Sequence, residues 1–204
     1  MRQDDGGWII PMLAYKLDRA TQYRLSSEWA EPLELVRSKP FSHTCTGMVL
    51  RGFAAHPRYR RHEAALHGAR LLKSRFFLPD AYTSYHAASY WVRFEYPFWW
   101  NNLLSAMDSI ALIEAPDAAA WAGDAVIQRA LAWFIEHQEE DGGWKNTYAK
   151  PEPDKPATFE RRLWVTLAIC RVLRSVLSHG EGLRSVLRHR EGPRRLDGTR
   201  AHPS

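Results

Sequence analysis

One short peptide occurs twice in this chain and constrains the fold more than any other feature. QDDGGW spans 3–8, and the near copy QEEDGGW spans 138–144. Two adjacent glycines between acidic residues and a tryptophan are typical of a turn, because glycine tolerates positive φ angles and weakens helices and strands. A turn that recurs indicates a repeated structural unit. We therefore expect Trp8 and Trp144 to lie at equivalent junctions between units.

Helical periodicity dominates the residues between and after these turns. Ser42 is a typical helix N-cap, and His56-Pro57 ends the apolar pattern that follows it. Pro97 suits the first position of a later helix. Apolar residues recur at helical spacing in five segments, which are 45–53, 65–76, 100–111, 126–137 and 163–173.

The same pattern predicts how the helices are ordered. Alternating strand patterns are hard to find, and the aromatic stretch 82–100, which could hide a short strand, contains proline and small residues that favour an extended loop. A helix runs into the second turn, and another follows the proline-rich loop 151–156. SRFFLPDAY (74–82) lies midway and is interpreted as a degenerate version of the same junction. The body is therefore predicted to be all-α, built from antiparallel helix pairs.

The positive charge of the chain is concentrated at its C-terminal end. The formal net charge is +5, and residues 174–204 alone contribute seven arginines against three acidic residues. This segment also repeats a decapeptide, LRSVLSHGEG and LRSVLRHREG. We predict a helical-repeat domain at 1–173 and a basic tail at 174–204 that is disordered from about residue 180 onward. A basic arm for nucleic acid or a membrane surface is the alternative, although nucleic acid is not an expected partner.

Cysteine content and hydropathy narrow the class of protein. Cys45 and Cys170 are the two cysteines, so no disulfide framework is implied, and reduced thiols in the cytoplasm are the simplest interpretation. No apolar run reaches the ~18 residues of a membrane span. The polar, acidic N-terminus is unlike a signal peptide.

The two turn peptides resemble the QW motif of the prenyltransferase and squalene oxidase repeats found in triterpene cyclases of the squalene–hopene cyclase type. That resemblance covers most of residues 1–173. It implies an α/α toroid, in which inner helices surround a central cavity, outer helices wrap them, and the motifs tie the outer layer. Ring closure in these families takes five or more helix pairs, whereas this chain holds about two and a half. The expectation is therefore a partial toroid.

The same resemblance directs attention to an acid. Cyclases of this type carry an Asp-x-Asp-Asp motif, and this chain has no such tetrapeptide. The chemistry needs a carboxylic acid kept protonated in an apolar cavity. Asp4-Asp5 lies in the turn motif, on the outside of such a fold. Asp108, within an apolar helical stretch, is the candidate catalytic acid, and a capped or partly exposed helix aspartate is the alternative interpretation.

Cyclase chemistry of this type also needs aromatic side chains, because aromatic faces stabilise carbocations by cation–π attraction. They crowd the stretch 82–100 before a helix of the inner type. The candidate substrate-binding residues are Tyr85, Trp91, Tyr96, Trp99 and Trp100. Ordinary core packing is the alternative for this cluster.

The resemblance also raises the possibility of a zinc site, because protein prenyltransferases of the same fold bind zinc. His43 and Cys45 lie two residues apart near a helix start, and His86 lies in the aromatic stretch. Residues at i and i+2 on a helix do not face the same way, so we expect no metal and no other cofactor. The chain also lacks a nucleophile elbow, a P-loop and a dinucleotide glycine pattern.

Two functions remain open. The first is a terpene cyclase-like or prenyltransferase-like protein that binds an isoprenoid or another apolar small molecule. The second is a non-catalytic helical-repeat interaction module, or a fragment of a larger toroid. The expected macromolecular partner is a second copy or another chain that completes the ring.

Overall fold

The computed structural model describes residues 1–10, 18–25, 27–28, 36–81, 87–95, 101–114, 121, 123–148 and 156–177. These residues form the helices α1 (Arg19–Leu25), α2 (His43–Ala55), α3 (Glu63–Lys73), a 3₁₀ helix (Ala88–Val92), α4 (Leu103–Glu114), α5 (Ala125–Glu136) and α6 (Pro156–Leu177). Within this described part there is no strand, and a single isolated bridge joins Arg2 to Trp8. The prediction of an all-α body is confirmed.

Side-chain caps fix where several helices begin. Ser42 caps α2 as expected, because its hydroxyl accepts from the Cys45 N–H at 3.2 Å. Asp124 caps α5 by accepting from two N–H groups of the first turn. Such a cap satisfies backbone donors that have no partner inside the helix.

The start of α4 differs from the expectation. The helix begins at Leu103 rather than at Pro97, which lies outside the described residues. Asn102 is the reason: its carbonyl accepts from Ala106 N–H, and its side-chain oxygen accepts from Ser105 N–H at 2.9 Å. The Ser105 hydroxyl in turn accepts from Asn102 N–H at 3.0 Å. This reciprocal capping resembles the capping box and competes successfully with proline as a start signal.

Helix α4 lies at the centre of the fold. It contacts α2, α3 and α6, and α3 also contacts α2. Burying a Leu or Ile side chain contributes roughly 1.5–3 kcal/mol, so this helix supplies much of the packing energy. Its buried apolar residues are Leu103, Leu104, Ala106, Met107, Ile110, Ala111 and Ile113.

Helices α2, α4 and α6 therefore lie side by side. A row of this kind is what a toroid would require, and ring closure stays a prediction. Lys73 at the end of α3 links that helix to the end of α4 and the start of α5, since its Nζ lies 3.0 Å from Glu114 Oε2 and 3.2 Å from Asp124 Oδ2.

Helix α6 runs to Leu177, past the predicted domain boundary at residue 173. Val176 in its last turn is buried in the core, so the start of the predicted tail belongs to the packed helix. The segment 178–204, including the part expected to be disordered, lies outside the described residues.

Candidate functional site: the repeated turn and the cavity between α2, α4 and α6

The first turn is closed by a small set of local hydrogen bonds. Gly6 N–H donates to the Gln3 carbonyl at 3.0 Å, and Gln3 N–H donates to the Gly7 carbonyl at 2.8 Å. The Asp5 carboxylate accepts from Gly7 N–H at 2.9 Å. Gly6 has a φ angle of +90°, a conformation that glycine adopts without steric cost.

The second turn repeats this pattern atom for atom. Gly142 N–H donates to the Glu139 carbonyl at 2.9 Å, and Glu139 N–H donates to the Gly143 carbonyl at 2.9 Å. Asp141 accepts from Gly143 N–H at 3.1 Å, and Gly142 has a φ angle of +83°. Glu139, not Gln138, therefore occupies the backbone position of Gln3.

The two glutamines consequently have different roles. The Gln3 amide nitrogen donates to the carbonyls of Val36 and Lys39, both at 3.0 Å, and holds a distant segment. The Gln138 amide nitrogen donates to the Gly142 carbonyl at 2.9 Å within its own turn. The extra acidic residue in the second peptide shifts the glutamine out of register.

The tryptophan after each turn is anchored in the same way. Trp8 N–H donates to Thr46 Oγ1 at 3.0 Å, and Trp144 N–H donates to Thr166 Oγ1 at 3.1 Å. The two threonines lie on α2 and α6, respectively. The Trp144 ring is buried, and its Nε1–H donates to the Phe134 carbonyl at 2.6 Å, whereas Trp8 is half-buried. As expected, the two junctions are equivalent in their backbone hydrogen bonds and in the threonine that anchors each tryptophan.

The midway junction after α3 also contains a left-handed residue. Phe77 has a φ angle of +62°, in the region that glycine occupies in the two turns. Arg129 of α5 lies over its ring, with the guanidinium carbon 4.4 Å from the centroid. A bulky residue in this conformation is strained by about 1–2 kcal/mol, so its packing must hold it there. The interpretation of 74–82 as a degenerate junction stays a prediction.

A buried acid that the sequence did not single out lies just beyond this junction. Asp80 Oδ2 accepts from the Ser42 hydroxyl at 2.6 Å, and Asp80 Oδ1 accepts from His43 N–H at 3.3 Å. The Asp80 side chain has no exposed surface. A carboxylate at a helix N-terminus is stabilised by the free N–H groups and the helix dipole. The signal in the sequence was a Pro-Asp pair after a helix end, which is too common to identify a partner.

Cys45, next to this acid, lies in an environment that disfavours a reactive thiolate. Burial raises the pKa of the Cys45 thiol, while the hydrogen bond to Ser42 acts in the opposite direction with a smaller effect. Because the thiolate is the reactive form, this position is unsuited to nucleophilic chemistry. The described residues contain no group of three or more His, Cys, Asp or Glu side chains placed to hold a metal ion. His43 and Cys45 are buried within that part, and His86 lies outside it.

A cavity of about 270 Å³ opens between α2, α4 and α6. Its walls combine alanines of α2 and α6 and leucines of α4 with polar or charged residues of all three helices and of the loop before α4. The lining residues are Arg51, Ala54, Ala55, Glu95, Asn102, Leu104, Ser105, Asp108, Ser109, Leu112, Ala168 and Arg171.

Four charged side chains line this cavity: Arg51, Glu95, Asp108 and Arg171. Asp108 accepts two hydrogen bonds from Arg171, with Nε–Oδ1 at 3.0 Å and Nη2–Oδ2 at 2.7 Å. Glu95 lies 3.8 Å from Arg161. Burial lowers the pKa of the Arg51 guanidinium, which nevertheless stays protonated at neutral pH because an arginine pKa starts so high.

The structure places the predicted site residues in different parts of the fold. Asp108 lines the cavity, as a candidate acid should, but it is ion-paired. Trp91 does not line the cavity. Its ring stacks on His43 with centroids 4.5 Å apart, and its Nε1–H donates to the Leu78 carbonyl, so it serves as a core residue. The remaining predicted aromatic residues, Tyr85, Tyr96, Trp99 and Trp100, lie outside the described residues.

The cavity residues Arg51, Glu95 and Arg171 were missed by sequence reasoning. Each belongs to a different element, and no local motif joins them. Helical spacing shows that Arg171 and Asp108 lie on helices but not that these helices adjoin. The tertiary packing of α4 on α6 creates the pair.

No family model, curated protein or solved structure matches the chain. Among the described helices, none is long and apolar enough to cross a membrane.

Proposed function

We propose that this chain is a terpene cyclase-like or prenyltransferase-like helical-repeat protein that binds an isoprenoid without converting it. Another apolar small molecule of similar size would suit the same site. The binding site is the cavity between α2, α4 and α6. Two turns of QW type with one hydrogen-bonding pattern support the family, and the position of the cavity beside the first helices of the pairs supports the site.

The size and lining of the cavity carry the argument for the ligand. A volume of about 270 Å³ is near the lower limit of small-molecule sites, which start at roughly 300 Å³. It suits a geranyl-sized ligand or the end of a longer chain. Leu104, Leu112 and Ala168 offer apolar surface, and Arg51 and the Asp108–Arg171 pair offer charged groups. A ligand with an apolar body and a polar head would be oriented by this difference.

The geometry at Asp108 supports binding rather than turnover. A cyclase acid must be protonated, whereas a two-point ion pair with arginine stabilises the ionised carboxylate. The Asp108 side chain is 25% exposed and that of Arg171 is 53% exposed, so water reaches the site. Water would quench a carbocation, which cyclases prevent by closing the cavity. The role of Asp108 as an acid stays a prediction.

Titration calorimetry with geraniol and with geranyl diphosphate tests the binding site. Ala55→Trp should fill the cavity from an exposed position of α2 and weaken binding at least tenfold. Ala157→Trp, an equally exposed change on α6 that does not line the cavity, should leave binding unchanged. Equal binding by the wild type and Ala55→Trp would place the ligand elsewhere.

Turnover is tested separately by incubation with squalene and with geranylgeranyl diphosphate, followed by mass spectrometry. We expect no cyclic product from the purified chain. A cyclic product that disappears in Asp108→Asn would contradict this proposal and would make Asp108 the catalytic acid.

The second candidate function is a non-catalytic interaction module. One observation favours it: α6 presents several large apolar side chains to solvent on the face opposite the core. An exposed apolar face of this kind is typical of a protein–protein contact.

A further inference from the structure

The outward face of α6 has the pattern of a helix that pairs with another helix. Leu163 is 49% exposed and Leu167 is 59% exposed, and Cys170 is exposed on the same stripe. Glu160 and Arg174 extend this stripe at either end. These five residues follow one another at spacings of three and four, the a and d positions of a heptad pattern. Phe159 and Trp164, at 62% and 43% exposed, border the stripe.

The opposite face of the same helix is already occupied. It packs on α4 and the rest of the core. The buried residues of that face are Val165, Ala168, Ile169, Val172 and Val176. The heptad stripe is therefore a second seam, separate from the contact that holds α6 in the fold.

We propose that this stripe pairs with the same stripe of a second copy of the chain, with the two α6 helices antiparallel. The proposal deepens the interaction-module function and names its partner. It does not depend on the cavity or on any ligand.

Charge complementarity selects both the partner and the orientation. Glu160 and Arg174 lie about two helical turns to either side of Leu167, and all three are exposed. In an antiparallel pair, Glu160 of one copy comes within reach of Arg174 of the other, and two-fold symmetry produces this contact twice. A parallel pair would instead place Glu160 against Glu160 and Arg174 against Arg174. Like charges in register disfavour that arrangement.

The apolar centre of the stripe supplies the attraction. Leu167 of each copy meets its counterpart at the two-fold axis, Leu163 packs beside Cys170 of the other copy, and Trp164 covers one border. A contact made by one helix per copy is at the low end of specific interfaces, so we expect a dissociation constant on the order of micromolar.

Sedimentation equilibrium of the full chain under reducing conditions tests the pairing; the reductant prevents a disulfide through Cys170. The wild type should form a dimer. Leu167→Asp should weaken the dimer at least a hundredfold, because it places like charges together at the centre of the seam. Ala157→Asp, on the same helix but off the stripe, should have little effect. A wild type that stays monomeric at high concentration, or a dimer insensitive to Leu167→Asp, would overturn the proposal.

A charge-reversal cycle tests the orientation. Glu160→Arg and Arg174→Glu should each weaken the dimer by roughly 3- to 10-fold, the effect of two exposed ion pairs. The double variant should recover most of the wild-type affinity, because the antiparallel pairs reform with reversed signs. Absence of recovery in the double variant would exclude the antiparallel arrangement.

One further measurement separates this inference from the ligand-binding proposal. The monomeric Leu167→Asp variant should bind geraniol as the wild type does, since Leu167 does not line the cavity. Loss of geraniol binding in this variant would show that the seam and the cavity are one site and would overturn their separation.

Discussion

The two turns share a backbone and differ in what holds them to the rest of the protein. The first turn is held by backbone groups of a distant segment: the Asp5 carboxylate accepts from Phe41 N–H at 2.8 Å, thirty-six residues away, and Asp4 adds a surface ion pair with Arg37. The second is held by a surface ion pair between Asp141 and Arg162. The peptide DGGW therefore determines local geometry, while docking depends on what the surrounding chain supplies.

The largest difference between the turns should appear at their second glycines. A Cβ at Gly7 would lie 2.2 Å from Phe41 Cβ, beside the backbone of a buried residue, whereas a Cβ at Gly143 would lie 2.5 Å from the mobile end of Arg162. We expect Gly7→Ala to cost roughly 3 kcal/mol by overpacking, and Gly143→Ala to cost less than about 1 kcal/mol. Urea denaturation of both variants gives the comparison. Equal losses would show that the two turns are docked alike.

A smaller difference is expected between the two aspartates. Asp5→Ala leaves the N–H groups of Gly7 and Phe41 without their acceptor, at a cost of about 1 kcal/mol. Asp141→Ala removes an exposed pair whose arginine is then hydrated, so its effect on the melting temperature should be smaller. Thermal unfolding of the two variants checks the order. A larger loss for Asp141→Ala would mean that the Asp141–Arg162 pair, not the Asp5 carboxylate, dominates docking.

The smallest effect should be the pH dependence of the second turn. The hydrogen bond from Arg162, with help from Gly143 N–H, holds the pKa of Asp141 below its ordinary value of 3.8. A depressed carboxylate pKa adds stability that is complete above the ordinary value and is lost as the pH falls through the folded-state pKa. The melting temperature of the wild type should therefore exceed that of Asp141→Asn at neutral pH, and the two should converge at acidic pH. Solvent and salt screen this exposed pair, so the gap is small. A gap that widens on acidification would contradict the assignment.

The sequence revealed the parts of the fold that are encoded locally. Repeated DGGW letters predicted repeated turns, and Ser42 before an apolar stripe predicted a helix start, because each signal acts within a few residues. Asn102 and Ser105 formed a helix-start signal of the same kind, but Pro97 suggested an earlier start for α4.

The remaining features depend on contacts between distant segments. Asp80 becomes a buried acid only because α2 begins beside it, and Asp108 meets Arg171 only because α4 packs on α6. Neither partner can be inferred from spacing along the chain. The role of Gln138 could not be predicted either. One inserted acidic residue places Glu139, not Gln138, at the backbone position that Gln3 occupies in the first turn.

The start of α2 is a shared attachment point for two distant parts of the N-terminal half. Asp5 and Asp80 arrive from opposite directions along the chain and accept from residues 41–43, across separations of thirty-six to thirty-eight residues. Both contacts fix the residues at the start of α2, so each one stabilises the helix start on which the other also depends. The N-terminal peptide and the junction after α3 therefore belong to one cooperative unit with α2, and a local opening that releases one of them loosens the other.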